Sequence, residues 1–161
     1  MTYKKNPLSF CSGYGWTEMP HVIFRARMNA CIKRVKQLQE ELGFDAVAFA
    51  GSSGAAIAFV LGYAIDIPVI YVRKDTETHH GSSIECNSTS PIHKYLIVDD
   101  FVDAGGTVTR IYNKIRKYAQ SHFEKVPACV GVFLYCPTTD GGHVTIHNTK
   151  KRLKIYTTNN E

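Results

Sequence analysis

The sequence lacks the features that would place it in a membrane, among secreted scaffolds or among nucleotide triphosphatases. No apolar run reaches the roughly 20 residues that cross a bilayer. The longest, from Gly54 to Ile65, is too short and is interrupted by Gly62. The opening residues, Met1-Thr-Tyr-Lys-Lys-Asn-Pro7, contain no apolar stretch of the kind a secretory signal requires. Cysteine is sparse and unpaired: Cys11, Cys31, Cys86, Cys129 and Cys136 are scattered, and their odd number favours reduced thiols in a cytoplasmic setting. There the sequon Asn87-Ser88-Thr89 has no consequence. The absence of Gly-x-x-x-x-Gly-Lys-Ser/Thr excludes a P-loop enzyme, and the absence of Gly-x-Gly-x-x-Gly argues against a dinucleotide site. Repeats and linkers are missing too, so residues 1–161 are read as one domain, long enough to bury its own core.

Strong charge bias is also absent. The net charge is +5, a mild excess that suits phosphorylated substrates. Part of it sits in Lys150, Lys151, Arg152 and Lys154, a cluster that reads as a solvated face, and nucleic acid is not an expected partner. His79, His80, Cys86 and His93 share one polar stretch, but their spacing matches no compact zinc pattern.

What is present is a regular alternation of helices and strands. Phe24, Met28, Cys31, Ile32, Val35, Leu38 and Leu42 follow the helical period, with Gly43 as the stop. Asp45 to Ala50 reads as a buried strand, Gly51-Ser52-Ser53-Gly54 as a loop, and Ala55 to Tyr63 as a buried helix. Val69 to Val72 is a β-branched strand entered through Pro68. Residues 75–93 are polar and aperiodic, the signature of a functional lid. Lys94 to Val98 is a third strand, Val108 to Ala119 a helix and Ala128 to Tyr135 a fourth strand. Val144 to His147 and Leu153 to Tyr156 close the chain as a hairpin. Near-continuous apolar strands separated by helices predict an α/β fold: a single-domain parallel sheet with helices on both faces.

Ligands of such sheets sit beyond the carboxyl ends of the strands. Three polar features fall there: Gly51–Gly54, Arg73–Lys74, and the stretch from Asp99 to Thr107. In the last, a buried strand runs into the paired carboxylates Asp99 and Asp100, then a small loop, then a helix N-terminus. Unpaired amides there attract an anion, and Thr107 can cap the helix or offer its hydroxyl to a phosphate. The adjacent carboxylates would repel a bare anion, so sugar hydroxyls or a metal must accompany it. A sugar phosphate with Mg²⁺ meets these demands.

The stretch Leu96-Ile-Val-Asp-Asp-Phe-Val-Asp-Ala-Gly-Gly-Thr107 resembles the phosphoribosyl diphosphate (PRPP) signature of type I phosphoribosyltransferases. Element order extends the resemblance over roughly residues 24–136, leaving 1–23 and 137–161 as a small hood from the termini. Val72-Arg73-Lys74 with His80-Gly81 is similar to a stretch of the orotate enzymes, while Asp103 before Ala-Gly-Gly-Thr is closer to the 6-oxopurine enzymes.

The resemblance implies transfer of ribose 5-phosphate from PRPP to a nucleobase, with release of pyrophosphate and use of Mg²⁺. Asp99 and Asp100 would bind the ribose hydroxyls, directly or through the metal. Ala104, Gly105, Gly106 and Thr107 would hold the 5-phosphate. Gly51, Ser52, Ser53 and Gly54 would cradle pyrophosphate, with a strained cis peptide at Gly51–Ser52. Arg73 and Lys74 would neutralise the leaving group, helped by His80 on the lid. Asp103 would act as acid or base at the base nitrogen, and Tyr135 would stack on the base. A homodimer is the usual assembly of the family. One departure stands out: no lysine lies between Lys74 and Lys94, where orotate enzymes carry one on the lid. That favours a 6-oxopurine substrate and leaves two alternatives, an orotate or other pyrimidine phosphoribosyltransferase and a noncatalytic PRPP-binding regulator that contacts nucleic acid through Lys150 to Lys154.

Overall fold

The computed structural model describes residues 21–74, 82–136 and 142–159. Three helices, α1 (His21–Leu42), α2 (Gly51–Ile65) and α3 (Gly106–His122), cover a seven-stranded sheet. Its strands are β1 (Ala46–Phe49), β2 (Val69–Val72), β3 (Ile84–Cys86), β4 (Lys94–Asp99), β5 (Ala128–Leu134), β6 (Gly142–Thr145) and β7 (Arg152–Tyr156). Their spatial order is β3-β2-β1-β4-β5-β7-β6.

The five inner strands are parallel, and both edge strands, β3 and β6, run antiparallel to their neighbours. Every residue of β1 is buried, because α1 and α2 cover one face and α3 the other. This is why β1, β2, β4 and β5 read as near-continuous apolar runs instead of alternating ones. Val35, Leu38, Phe49, Ile57, Leu61 and Phe133 form the core beneath α1 and α2. On the opposite face α3 buries Val108, Ile111, Ile115 and Ala119, spaced to fall on one stripe. Each such isoleucine contributes about 2 kcal/mol through burial.

The helix ends are set locally. Gly43 takes a left-handed φ of +66° and returns its N–H to the Gln39 carbonyl (2.8 Å). Asp45 then accepts the backbone N–H groups of His93 and Lys94, starting β4 beside β1. At the far end of α2, Asp66 takes the left-handed cap conformation usually given to glycine.

Three expectations need correction. Gly51–Gly54 is not a separate loop; it forms the first turn of α2, because Ala50 already has the extended backbone of an N-cap (φ −141°, ψ 144°). Residues 84–86 are not lid but the edge strand β3, paired with β2 through Ile70–Cys86, Tyr71–Glu85 and Val72–Ile84. Three residues with one half-buried side chain give no readable period, so the strand exists only by virtue of its partner. Finally, residues 142–156, assigned to a hood, extend the core sheet: β6 and β7 form the expected hairpin, and β7 continues the parallel order beside β5. Residues 1–20 of the hood and residues 75–81 of the lid, with His79 and His80, lie outside the described residues.

Candidate active site

The carboxyl ends of β1, β2 and β4 bring the three polar features to one edge of the sheet. β4 ends in the acidic pair, with Asp99 and Asp100 only 5% and 4% exposed. Burial is the larger reason, and the neighbouring Asp100 the second, that Asp99 is pushed up to about 7. Its Oδ1 accepts the Ser53 hydroxyl (3.0 Å) and the Asp100 N–H (3.0 Å). Asp100 Oδ1 accepts the Phe101 N–H at 2.9 Å. The backbone carbonyls of the pair accept the N–H groups of Tyr135 and Cys136, fixing the pair against the end of β5.

Ser53 joins this pair to the start of α2. Its hydroxyl is spent on Asp99 and its carbonyl accepts the Tyr135 hydroxyl (3.1 Å), so the Ser53 side chain is a strut and not part of a pyrophosphate cradle. Gly54 is likewise a packing residue: a Cβ there would come within 2.9 Å of Phe49 Cβ. What remains open to an anion is the helix terminus itself, the amides of Gly51 to Gly54 with exposed Ser52. Gly51 bends the chain into it with φ +72°, and no cis peptide occurs among the described residues. Lys74 stands over this turn, its Nζ 3.6 Å from where a Cβ on Gly51 would sit.

Arg73 takes another course. Its guanidinium donates Nε to Glu85 Oε1 (3.1 Å), forms an ion pair with the same oxygen and lies 5.0 Å from the centre of the Tyr71 ring. It therefore braces β2 against β3, and of the two cations expected to face pyrophosphate only Lys74 stands at the α2 terminus. Tyr135 is also corrected. At 1% exposure its ring is core, and its hydroxyl is bonded to Ser53, which leaves no face on which a base could stack.

The loop after β4 leads into α3. Asp103, Ala104 and Gly106 are exposed; Gly105 is buried with φ +77° and serves as the N-cap of α3. Thr107 is not the cap but lies in the first helical turn, where its backbone amide still lacks an intrahelical acceptor. A Cβ on Gly105 would meet Val144 Cγ2 at 2.7 Å. The helix starts with the Thr109 N–H on the Gly105 carbonyl (2.9 Å).

Three contributors escaped the sequence analysis. Lys114 donates to the Arg73 carbonyl (2.8 Å), tying α3 to the end of β2. Arg27 donates to the Tyr135 carbonyl (3.1 Å) and to Cys136 Sγ (3.3 Å) at the end of β5. A cation set between Phe24 and Cys31 on the apolar stripe of α1 is a signal that could have revealed it. His147 reaches Ala104 from the β6–β7 turn, and nothing in the sequence marks that contact.

The burial of Asp99 has a measurable cost. Its folded-state pKa lies above the ordinary carboxylate value near 4, so the folded chain binds a proton more tightly than the unfolded chain. Between about pH 4 and 7 folding therefore takes up a proton, and stability falls as pH rises through this window. Asp99→Asn, which keeps an oxygen for Ser53, is expected to raise stability at pH 8 by on the order of 2 kcal/mol. It should also flatten the dependence between pH 4 and 7, as read by urea unfolding without metal. Equal slopes in both proteins would contradict this account.

Comparison with solved structures bears on the arrangement. Adenine phosphoribosyltransferase from Saccharomyces cerevisiae, solved with an imino-altritol bisphosphate and adenine, matches with a TM-score of 0.55 at 16% identity, over 71% of this chain and 68% of that one. The chain has the fold of the type I phosphoribosyltransferase family. Among curated relatives, the orotate phosphoribosyltransferase of Pyrococcus abyssi is 28% identical over 126 residues, covering 77% of this chain and 64% of its own. The purine biosynthesis transcriptional repressor PurR of Bacillus subtilis is 27% identical over 95 residues, 48% of this chain and 33% of its own. This phosphoribosyltransferase-like chain thus spans less than two thirds of the length of either relative. No family model matches it.

Proposed function

We propose that the chain binds PRPP and transfers its ribose 5-phosphate to a nucleobase, releasing pyrophosphate. The observation that carries this reading is the Ser53–Asp99 hydrogen bond of 3.0 Å, which locks the α2 terminus beside the acidic pair from which the α3 loop departs. Two anion-binding helix starts with a diol-binding carboxylate pair between them match a pentose carrying phosphate at one end and diphosphate at the other.

In this reading Asp99 and Asp100 accept hydrogen bonds from the ribose 2′- and 3′-hydroxyls. The amides of Ala104 to Thr107, with the Thr107 hydroxyl, hold the 5-phosphate, and the α2 terminus with Lys74 holds the diphosphate. The C1–O bond to pyrophosphate breaks, its electron pair leaving with the oxygen, while a base nitrogen supplies the pair for the new C1–N bond. Lys74 and the α2 amides bear the charge that grows on pyrophosphate. Asp103 takes or shares the proton of the attacking base. His80, which lies outside the described residues, is assigned to the leaving pyrophosphate with Lys74.

Mg²⁺ fits the donor set. Asp99 and Asp100 offer only oxygen, and their mutual repulsion is relieved by a divalent cation. Among the described residues no three His, Cys, Asp or Glu could enclose a metal by themselves, so substrate oxygens and water would complete its shell. When bound, the ion would screen the negative charge of the diphosphate.

The Asp103-Ala-Gly-Gly-Thr107 loop favours a 6-oxopurine as the base. The similarity to an orotate enzyme keeps orotate in view, and the similarity to PurR supports a second reading, a noncatalytic PRPP-binding regulator. A homodimer in the cytoplasm completes the proposal; exposed Phe59 and Tyr63, one turn apart on α2, support association, and none of the described helices is long and apolar enough to cross a membrane. The test is a spectrophotometric screen with PRPP, Mg²⁺ and hypoxanthine, guanine, xanthine, adenine, orotate or uracil. Consumption of hypoxanthine, guanine or xanthine is the expected result. PRPP binding with no base consumed would select the regulator.

A further inference from the structure

The β6–β7 turn makes a three-point clamp on the loop that starts α3. His147 Nε2 lies 2.7 Å from the Ala104 carbonyl. A carbonyl only accepts, so the ring nitrogen donates and the imidazole carries its proton there. The His147 backbone N–H donates to the Thr109 hydroxyl at 3.1 Å. Val144, two residues before Ile146 on the same hairpin, fills the space where a Gly105 side chain would stand.

The turn presenting His147 is itself braced. Ile146 is fully buried, and its N–H donates to the Lys151 carbonyl (2.9 Å). The Ile146 carbonyl accepts both the N–H and the hydroxyl of Thr149, and that hydroxyl in turn accepts the Lys151 N–H (3.0 Å). Asn148 takes a left-handed φ of 59°, a conformation asparagine tolerates well in turns. Such a turn holds the imidazole in place at little further entropic cost.

Peptide geometry supplies the consequence. In a trans peptide the C=O and N–H point to opposite sides of the plane. Fixing the Ala104 carbonyl on the imidazole therefore turns the Gly105 N–H away from His147. We propose that His147 is a positioning residue of the phosphate loop, holding the Ala104–Gly105 peptide so that the Gly105 amide points at the 5-phosphate. The assignment rests on the reading of this loop as the 5-phosphate site and gives the hairpin, a segment outside the signature, a role in substrate binding.

The test uses the full chain with D-ribose 5-phosphate and pyrophosphate as separate calorimetric probes. His147→Ala should weaken ribose 5-phosphate binding about tenfold, the loss expected when one charge-assisted amide contact is misaimed. Pyrophosphate affinity should stay within about twofold, because the α2 terminus is untouched. His147→Gln, whose side-chain amide can donate to the same carbonyl, should recover most of the loss. Unchanged ribose 5-phosphate affinity in His147→Ala would overturn the assignment. So would equal weakening of both probes, or failure of the glutamine to recover binding. If the wild-type chain binds pyrophosphate but not ribose 5-phosphate, the reading of the loop itself falls, a result separable from the others.

Discussion

Asp103→Asn is expected to lower turnover by about 10²- to 10⁴-fold while PRPP affinity changes by less than about threefold. Asp103 lies on the exposed part of the loop, between the acidic pair and the amides assigned to phosphate. In the proposed reaction its carboxylate is thus available to the incoming base without being needed for the sugar. Asparagine has the same shape and leaves the loop backbone alone, but it cannot take a proton or balance a positive charge growing on the base. Initial rates at saturating PRPP, with affinity measured by calorimetry, separate the two effects. An unchanged rate would remove Asp103 from the chemistry. A loss of affinity as large as the loss of rate would make it a binding residue instead.

Gly105→Ala should have the next largest effect, and for a different reason. The residue sits at φ +77°, where a side chain costs roughly 1–2 kcal/mol. The added Cβ would also lie 2.7 Å from Val144 Cγ2, on a strand held at the sheet edge by β7. The loop or the hairpin must shift, and we expect a loss of about 2–3 kcal/mol in stability from strain and overpacking. Because the proposed reading assigns the amide of the same glycine to the phosphate, ribose 5-phosphate affinity should fall by about tenfold or more. Thermal unfolding with and without that ligand measures both. A variant of normal stability and affinity would show that the loop is not held by the hairpin. Val144→Ala in the Gly105→Ala background should restore part of the stability by opening the space the new methyl needs.

The two glycines of this loop show where pattern and geometry part. Gly105-Gly106 could be read as a tight turn between strand and helix from its position alone. Which of the two takes the left-handed backbone, and that Gly105 rather than Thr107 caps α3, depends on where β6 lies. Gly51–Gly54 makes the same point. Polar small residues after a strand read as a loop, yet hydrogen bonding from Ser53 to Asp99 and close packing of Gly54 on Phe49 draw them into the first turn of α2. Arg73 and Lys74 were indistinguishable as neighbouring cations; an antiparallel edge strand carrying Glu85 claimed one of them.

The sequence by itself determined the layered α/β architecture, four of the five inner strands and the location of the acidic pair and the glycine loop at one edge. These follow from short-range causes: periodicity that matches helix or strand, apolar runs that require cover on both faces, and loops at strand ends. Only the tertiary structure decided which polar groups remain open for a ligand. Ser53, Arg73 and Tyr135 have their side chains engaged within the fold, and His147 reaches the loop from residues far along the chain. Hydrogen bonds between distant segments leave no periodic trace, because each depends on two segments whose meeting is set by strand order and not by spacing.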